Sequence, residues 1–432
     1  MKVIVSTLAL VFVFFADYVQ AQNLIGQWSG VAQAGSEETQ LALTIRHVND
    51  GLSASMTLPD IGVSGWPAQS VEQTKNTLKV TFPSDSGPQQ MVLSVDGQSM
   101  TGTWRESRFE TAALVELTRV EVGSPASEQR ILIEGPAGKL GASLIMPTCT
   151  DGCPGVVFLH GSGPQPRDSN RFAAHALAEH GIASIIYDKR GVGESEADLE
   201  GVTFDALAAD AIAVADVLRH QPGISSVGFF GHSQGGWVAP LAGSKWVHTA
   251  FVITSAGPAV PPSREAEWDV VRRLRAANLS DEIEEEARKI VQLWHRGIRS
   301  GDWSPFDRAL SAAKAESWFD TAGFNTFMTR PSEAFVRSYR AFMDYDPIPA
   351  LSSLTSPMLT ILTPDDESID AVETESILRE LRNDGHDIKL EIYPGYDHSM
   401  RRLGPEKNPI RWPEHPDNYF SSQARFIQGT TR

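Results

Sequence analysis

The sequence predicts an α/β fold: a doubly wound parallel sheet with a helical insertion, preceded by a small all-β block. Three observations carry this expectation. Apolar and polar residues alternate through most of residues 23–120. Short uninterrupted apolar runs then alternate with helix-period segments. Between Pro258 and Ser356 the strand signals vanish, and charged periodic stretches replace them. The chain has 432 residues, and at about 150 residues per domain that allows two or three domains. A hydrophobic share of 41% with 21% charged residues is ordinary globular composition. It excludes a wholly disordered, collagen-like or polytopic membrane protein. The net charge of −17 repels a phosphate backbone, so nucleic acid is not an expected partner.

The first residues read as a leader. Lys2 precedes a mostly apolar run over 3–16, and Val19-Gln20-Ala21 offers a small-x-small cleavage pattern. That combination is a secretory signal with cleavage after Ala21, so the expected location is secreted or periplasmic. The run is short for a hydrocarbon core of about 30 Å, and no stable membrane span is expected there. No later stretch is long and apolar enough to cross a bilayer. An oxidising compartment permits a disulfide between the two cysteines, Cys149 and Cys153, which flank the turn-like Thr150-Asp151-Gly152. No second Cys or His pair supports a metal site.

Residues 23–120 read as the N-terminal β domain. Alternation at 41–46, 52–58, 77–82, 91–95 and 114–117 marks strands, separated by turn signals such as Asp96-Gly97. Gly26-Gln27-Trp28 and Gly102-Thr103-Trp104 repeat one strand signature, with both tryptophans expected in the core. The spacing fits a meander, sandwich or small barrel. The block resembles the lipocalin-like β domains that precede some secreted bacterial hydrolases.

The sheet of the second part is read from short apolar runs at 155–159, 182–187, 227–230 and 251–254, behind a hairpin at 130–146, and the strand-helix rhythm resumes with strands at 358–362 and 388–393. Such runs suit strands covered on both faces. Helix patterns lie at 171–180, 204–219, 371–383 and 419–427. The expected core therefore comprises residues 128–257 and 350–432, with 258–349 as a helical insertion. Helices are expected there at 263–277, 280–296, 309–318 and 332–344.

The sharpest motif is Gly231-His232-Ser233-Gln234-Gly235-Gly236, between the strand at 227–230 and a small-residue helix. Gly-x-Ser-x-Gly in that setting is a nucleophile elbow. The turn is tight, so glycines at 231 and 235 relieve crowding and hold the hydroxyl above a helix N-terminus. A serine hydroxyl needs a base, which needs an orienting carboxylate, in the chain order Ser, acid, His. His398 follows the last strand. Asp366 follows the strand at 358–362, with Asp365 next in order and Glu367 or Asp370 behind; spacing does not separate Asp365 from Asp366. An anionic intermediate needs donors. The backbone N–H groups of Gln234 and of Ser162, with Gly163 second, are the candidates. His160 reads as a hydrogen-bonding brace of that loop.

Together these residues resemble the alpha/beta-hydrolase superfamily, on the side of the secreted bacterial esterases akin to dienelactone hydrolase and prolyl oligopeptidase. Residues 187–195, Tyr-Asp-Lys-Arg-Gly-Val-Gly-Glu-Ser, are similar to an Asp-x-Arg-Gly-x-Gly-x-Ser loop of such enzymes. The resemblance implies that Asp188 and Arg190 are structural and that the insertion at 258–349 caps a pocket. Trp268, Trp294, Trp303, Phe306, Trp318 and Phe319 are available to line it or to pack the cap's own core. The implied activity is that of a serine carboxylesterase acting on a small-molecule ester through Ser233, His398 and Asp366, with no cofactor and no metal. The alternatives are a peptidase or amidase with the same triad, or a non-catalytic binding protein on the same scaffold. The short preceding block, in place of a large propeller, favours esters.

Overall fold

A computed structural model of the chain describes residues 24–48, 51–58, 63–83, 87–106, 112–120, 126–149, 152–325, 329–403, 415–416 and 418–430. The leader expected at 1–21 lies outside the described residues. The chain divides into two compact units, the second taking in the sheet that starts at Ala126.

The first unit is built on nine antiparallel strands: β1 (Gly26–Ala34), β2 (Glu37–Val48), β3 (Gly51–Leu58), β4 (Val63–Pro67), β5 (Ser70–Thr74), β6 (Thr77–Phe82), β7 (Gln89–Asp96), β8 (Ser99–Glu106) and β9 (Ala113–Arg119). Their order is β4-β3-β2-β1-β9-β8-β7-β6-β5. The two edge strands, β4 and β5, are consecutive in the chain. Ala68 N donates to Ala54 O at 2.8 Å and Gln69 N to Thr81 O at 2.7 Å. The meander thus curls nearly closed into a barrel, which removes most of its exposed edge. Burial alternates along β7 and β9, as a period-two pattern requires. Trp28, Trp104, Phe82, Leu41 and Leu43 are fully buried in the core. β4 and β5 escape the sequence reading because β4 carries Gly65 and Pro67, and β5 buries no residue fully.

The second unit holds an eight-stranded sheet in the order β10-β11-β13-β12-β14-β15-β16-β17. Its strands are β10 (Ala126–Gly135), β11 (Gly138–Pro147), β12 (Cys153–Leu159), β13 (Ala183–Tyr187), β14 (Ile224–His232), β15 (Thr249–Ser255), β16 (Met358–Leu362) and β17 (Ile388–Ile392). The hairpin β10–β11 joins antiparallel, and β13, β12 and β14–β17 run parallel to one another. β13 and β16 are buried at every position, the signature of strands covered on both faces. The connecting helices are α1 (Arg171–Glu179), α2 (Phe204–Arg219) and α3 (Gly235–Lys245). Cys149 and Cys153 are bonded, with Cα atoms 5.6 Å apart.

Between β15 and β16 come α4 (Pro262–Ala276), α5 (Asp281–Ser300), α6 (Ser304–Ala313), α7 (Glu333–Arg340) and α8 (Ile348–Ser353). Trp294, Phe306, Trp318 and Phe319 pack in a core of these helices' own, with Trp303 partly buried against it. Trp268 is half-buried on α4. α6 begins and ends earlier than the pattern at 309–318 suggests. Pro305 in its first turn favours an early start. Beyond Ala313 the chain breaks into turns that carry Trp318, Phe319 and Phe324 inward. After β16 follow α9 (Ala371–Asn383) and, beyond β17, α10 (Tyr419–Thr430). Among the described residues no helix is long and apolar enough to cross a membrane.

Candidate active site

Because β12 to β17 run parallel, the loops that follow them meet at one edge of the sheet, where α/β folds place their chemistry. β14 lies centrally, flanked by β12 and β15. It ends at His232, and α3 opens at Gly235, leaving two residues for the turn. Ser233 takes φ +54°, the left-handed region that a serine rarely enters. Such a conformation costs about 1–3 kcal/mol and persists only where the surroundings impose it. Here they do. Ser233 N donates to Ser255 O at 3.1 Å, and Gly236 N donates to Ser233 O at 2.7 Å. A Cβ on Gly231 would stand 2.0 Å from Gly235 O, and one on Gly236 would stand 2.2 Å from Gly257 Cα. Only glycine permits these crossings, so the bend and the exposure of the hydroxyl are one feature.

Asp366 and His398 arrive from the loops after β16 and β17. The Asp366 carboxylate is buried, and both of its oxygens accept from His398 Nδ1, at 2.9 and 2.8 Å. Its Oδ1 also accepts from Ser368 N at 2.7 Å and Ile369 N at 3.1 Å. With Nδ1 holding the proton toward the carboxylate, Nε2 is the ring's free acceptor. Asp365 is engaged elsewhere. Its Oδ2 accepts from Gly395 N at 2.6 Å, while Thr363 Oγ1 donates to Tyr396 O at 2.9 Å. These two contacts tie the strand carrying the acid to the loop carrying the imidazole. Asp370 caps α9 through Glu373 N at 2.9 Å, and Glu367 is exposed. The His232 ring lies 5.1 Å from that of His398. Burial, followed by the neighbouring His398, pulls His232 down to about 4, so it stays neutral. Among the described residues no hydrogen bond joins Ser233 Oγ to His398.

The loop after β12 carries His160, Gly161, Ser162 and Gly163. A Cβ on Gly161 would stand 3.6 Å from Ser233 Cβ, so this loop passes directly beside that serine. Gly161 N is held by Gln165 Oε1 at 3.1 Å. Among the described residues neither Ser162 N nor Gln234 N donates to a protein acceptor. Both donors are thus unspent, one on the loop that passes beside Ser233 and one on the residue that follows it. His160 is buried with Nε2 against Tyr187 O, and burial, then Lys189, pulls its pKa down to about 4. It braces the loop as a neutral ring. Among the described residues no group of three or more His, Cys, Asp or Glu side chains is arranged to hold a metal ion.

The sequence pattern of the alpha/beta hydrolase family matches residues 156–406, more than half of the chain. The chain belongs to that family. Esterase EstD of Thermotoga maritima is 23% identical over 313 residues, covering 70% of this chain and 68% of that protein. A non-heme chloroperoxidase of Burkholderia pyrrocinia is 25% identical over 268 residues, covering 57% of this chain and 85% of that protein. Among solved structures, a Pyrobaculum calidifontis esterase aligns at 19% identity with a TM-score of 0.45, covering 70% of this chain and 85% of that one.

In this alpha/beta hydrolase the loop after β13 is a dense charge network. Asp188 accepts from Arg167 N at 2.8 Å and Glu194 N at 3.0 Å and pairs with Arg167 Nη2 at 3.0 Å. Arg190 grips Asp210 through two bonds of 2.7 Å. Both are buried pairs that hold the loop's shape. Between them stands Lys189, which sequence reasoning passed over. Its ammonium donates to Gly161 O at 2.8 Å, Gly163 O at 3.1 Å and Gln234 Oε1 at 2.6 Å. The available signal was a lysine between two charged residues, each of which has its own partner.

Proposed function

We propose that this alpha/beta hydrolase is a serine carboxylesterase acting on small-molecule esters. Ser233 Oγ attacks the acyl carbon while His398 Nε2 takes its proton. Asp366 holds the imidazole in the required tautomer and balances the charge that forms on it. The N–H groups of Gln234 and Ser162 receive the oxyanion. Collapse of the tetrahedral species breaks the C–O bond, and the alcohol leaves with the proton from His398. A water then attacks the acyl-enzyme and gives a proton to His398, which passes it to Ser233 Oγ as the acyl–oxygen bond breaks, releasing the acid and the free serine.

The observation that carries this reading is the buried Asp366–His398 pair at the sheet edge that presents Ser233 in a left-handed bend. The esterase name of the Thermotoga relative supports ester chemistry. On this reading the helices at 258–349 cap the site, between core segments at 128–257 and 350–432, and the β block at 23–120 precedes them. The leader at 1–21 and the Cys149–Cys153 bond support a secreted or periplasmic location.

The test compares p-nitrophenyl esters with aminoacyl-anilides and adds a fluorophosphonate probe. Ester turnover, labelling at Ser233 and loss of both in Ser233→Ala are expected. Faster anilide turnover would make the enzyme an amidase. Absence of labelling and turnover would make the scaffold non-catalytic.

A further inference from the structure

A buried ammonium costs several kcal/mol of lost hydration unless its surroundings replace that hydration. Lys189 is 3% exposed, and its three N–H donors meet three oxygens: Gly161 O, Gly163 O and Gln234 Oε1. Three donors against three acceptors leave the head group one orientation. The identity of those acceptors is informative. Gly161 C=O belongs to the same peptide unit as Ser162 N–H. That peptide is trans, so its carbonyl and its N–H point in opposite directions. A cation on the oxygen side therefore aims the N–H away from itself and draws electron density from it, making it a stronger donor. Gln234, held through its side chain, supplies the other unspent N–H. One buried charge thus reaches both walls of the proposed oxyanion site.

We propose that Lys189 is the positioning residue of the oxyanion hole, fixing and polarising the Ser162 amide through Gly161 O and anchoring Gln234 through its side chain. The proposal rests on the esterase reading above. A purely structural cation would support folding alone. Lys189 instead acts in proportion to the negative charge that develops on the substrate oxygen, so its removal weakens transition-state binding more than ground-state binding.

The charged and titratable neighbours of Lys189 are few. Asp188 and Arg190 flank it on its own loop, each engaged by Arg167 or Asp210. His160 faces it from the loop after β12 and is neutral above about pH 4. Burial pulls Lys189 itself down to about 8, so wild-type kcat/KM should fall as pH rises through that value and the ammonium is lost.

The experiment uses the full chain with Lys189→Met, Lys189→Arg and Ser233→Ala. Readouts are kcat and KM on a p-nitrophenyl ester, affinity for a trifluoromethyl ketone whose adduct carries an oxyanion, and kcat/KM from pH 6 to 10. Lys189→Met should lower kcat about 10- to 100-fold, less than loss of a direct donor, with KM nearly unchanged. Ketone affinity should fall by a similar factor. Lys189→Arg should recover part of kcat and lose the alkaline decline, because guanidinium stays charged. Wild-type kcat and ketone affinity in Lys189→Met would overturn the proposal. Should Lys189→Met fail to fold, the pH profiles decide: a decline shared by wild type and Lys189→Arg, or absent from both, overturns it. Ester turnover surviving in Ser233→Ala sinks the reading of Ser233 as nucleophile and takes this proposal with it.

Discussion

Replacing Asp366 with Asn tests the two adjacent aspartates against each other. Asp366 Oδ1 is fixed by Ser368 N at 2.7 Å and Ile369 N at 3.1 Å. An asparagine must keep its oxygen on those amides, so its NH2 turns toward His398 Nδ1. That nitrogen becomes an acceptor, and the proton moves to Nε2, where a base needs a lone pair. The lost charge adds to the tautomer error. Carboxylate and imidazolium about 4 Å apart interact by about 4 kcal/mol at an effective dielectric near 20, which is about 10³-fold in rate. With the wrong tautomer the expected fall in kcat is about 10³- to 10⁴-fold. Asp365→Asn keeps an oxygen for Gly395 N, and its weaker bond costs about 1 kcal/mol, about fivefold. Steady-state kcat on a p-nitrophenyl ester at pH 8 measures both. A larger loss in Asp365→Asn, or an Asp366→Asn enzyme within about tenfold of wild type, would refute the assignment.

Further outcomes follow from burial and close approach. Gly236→Ala would drive a Cβ to 2.2 Å from Gly257 Cα; backbone against backbone should cost about 2–3 kcal/mol and lower Tm by roughly 5–10 °C. An unchanged Tm would show that the two backbones can separate freely there. His160, His232 and His295 are each held near 4 by burial, so between pH 6.5 and 4 the unfolded chain binds protons that the folded chain refuses. Stability should therefore fall with pH across that window, by about 1.4 kcal/mol per pH unit for each ring. Glu265, raised by burial to about 8, acts oppositely above its unfolded value of 4.5, but three imidazoles outweigh one carboxyl. Chemical denaturation at pH 7 and 4.5 measures the difference, and equal stability would contradict the burial.

What could be read in the sequence depended on how local the cause was. β16 and α9 have the bounds that pattern reading expects, because a β-prone stretch of four apolar residues around Thr360 and an Asp370 cap are local signals. β4 and β5 were illegible, since each has only five residues, β4 carries Gly65 and Pro67, and β5 buries none of its residues fully. The elbow was legible because steric crowding writes glycine at fixed spacing. Asp365 and Asp366 were inseparable by spacing, since Gly395, thirty residues on, engages the first and leaves the second to His398. Lys189 was missed for the same reason: its meaning lies in three oxygens contributed by two other loops.

Most large aromatics of the insertion pack with one another, while Phe342 and Tyr345 reach the sheet's core against Phe204. Trp294, Phe306 and Phe324 pack in a cluster distinct from the one formed by Val157, Phe229 and Leu378 around the sheet. Substitutions at Trp294, Phe306 or Phe324 fall on side chains that the sheet's own core does not share. On the proposed reading, changes in the insertion would alter which molecules reach Ser233 while the Asp366–His398 pair, held by the loops after β16 and β17, stays as it is.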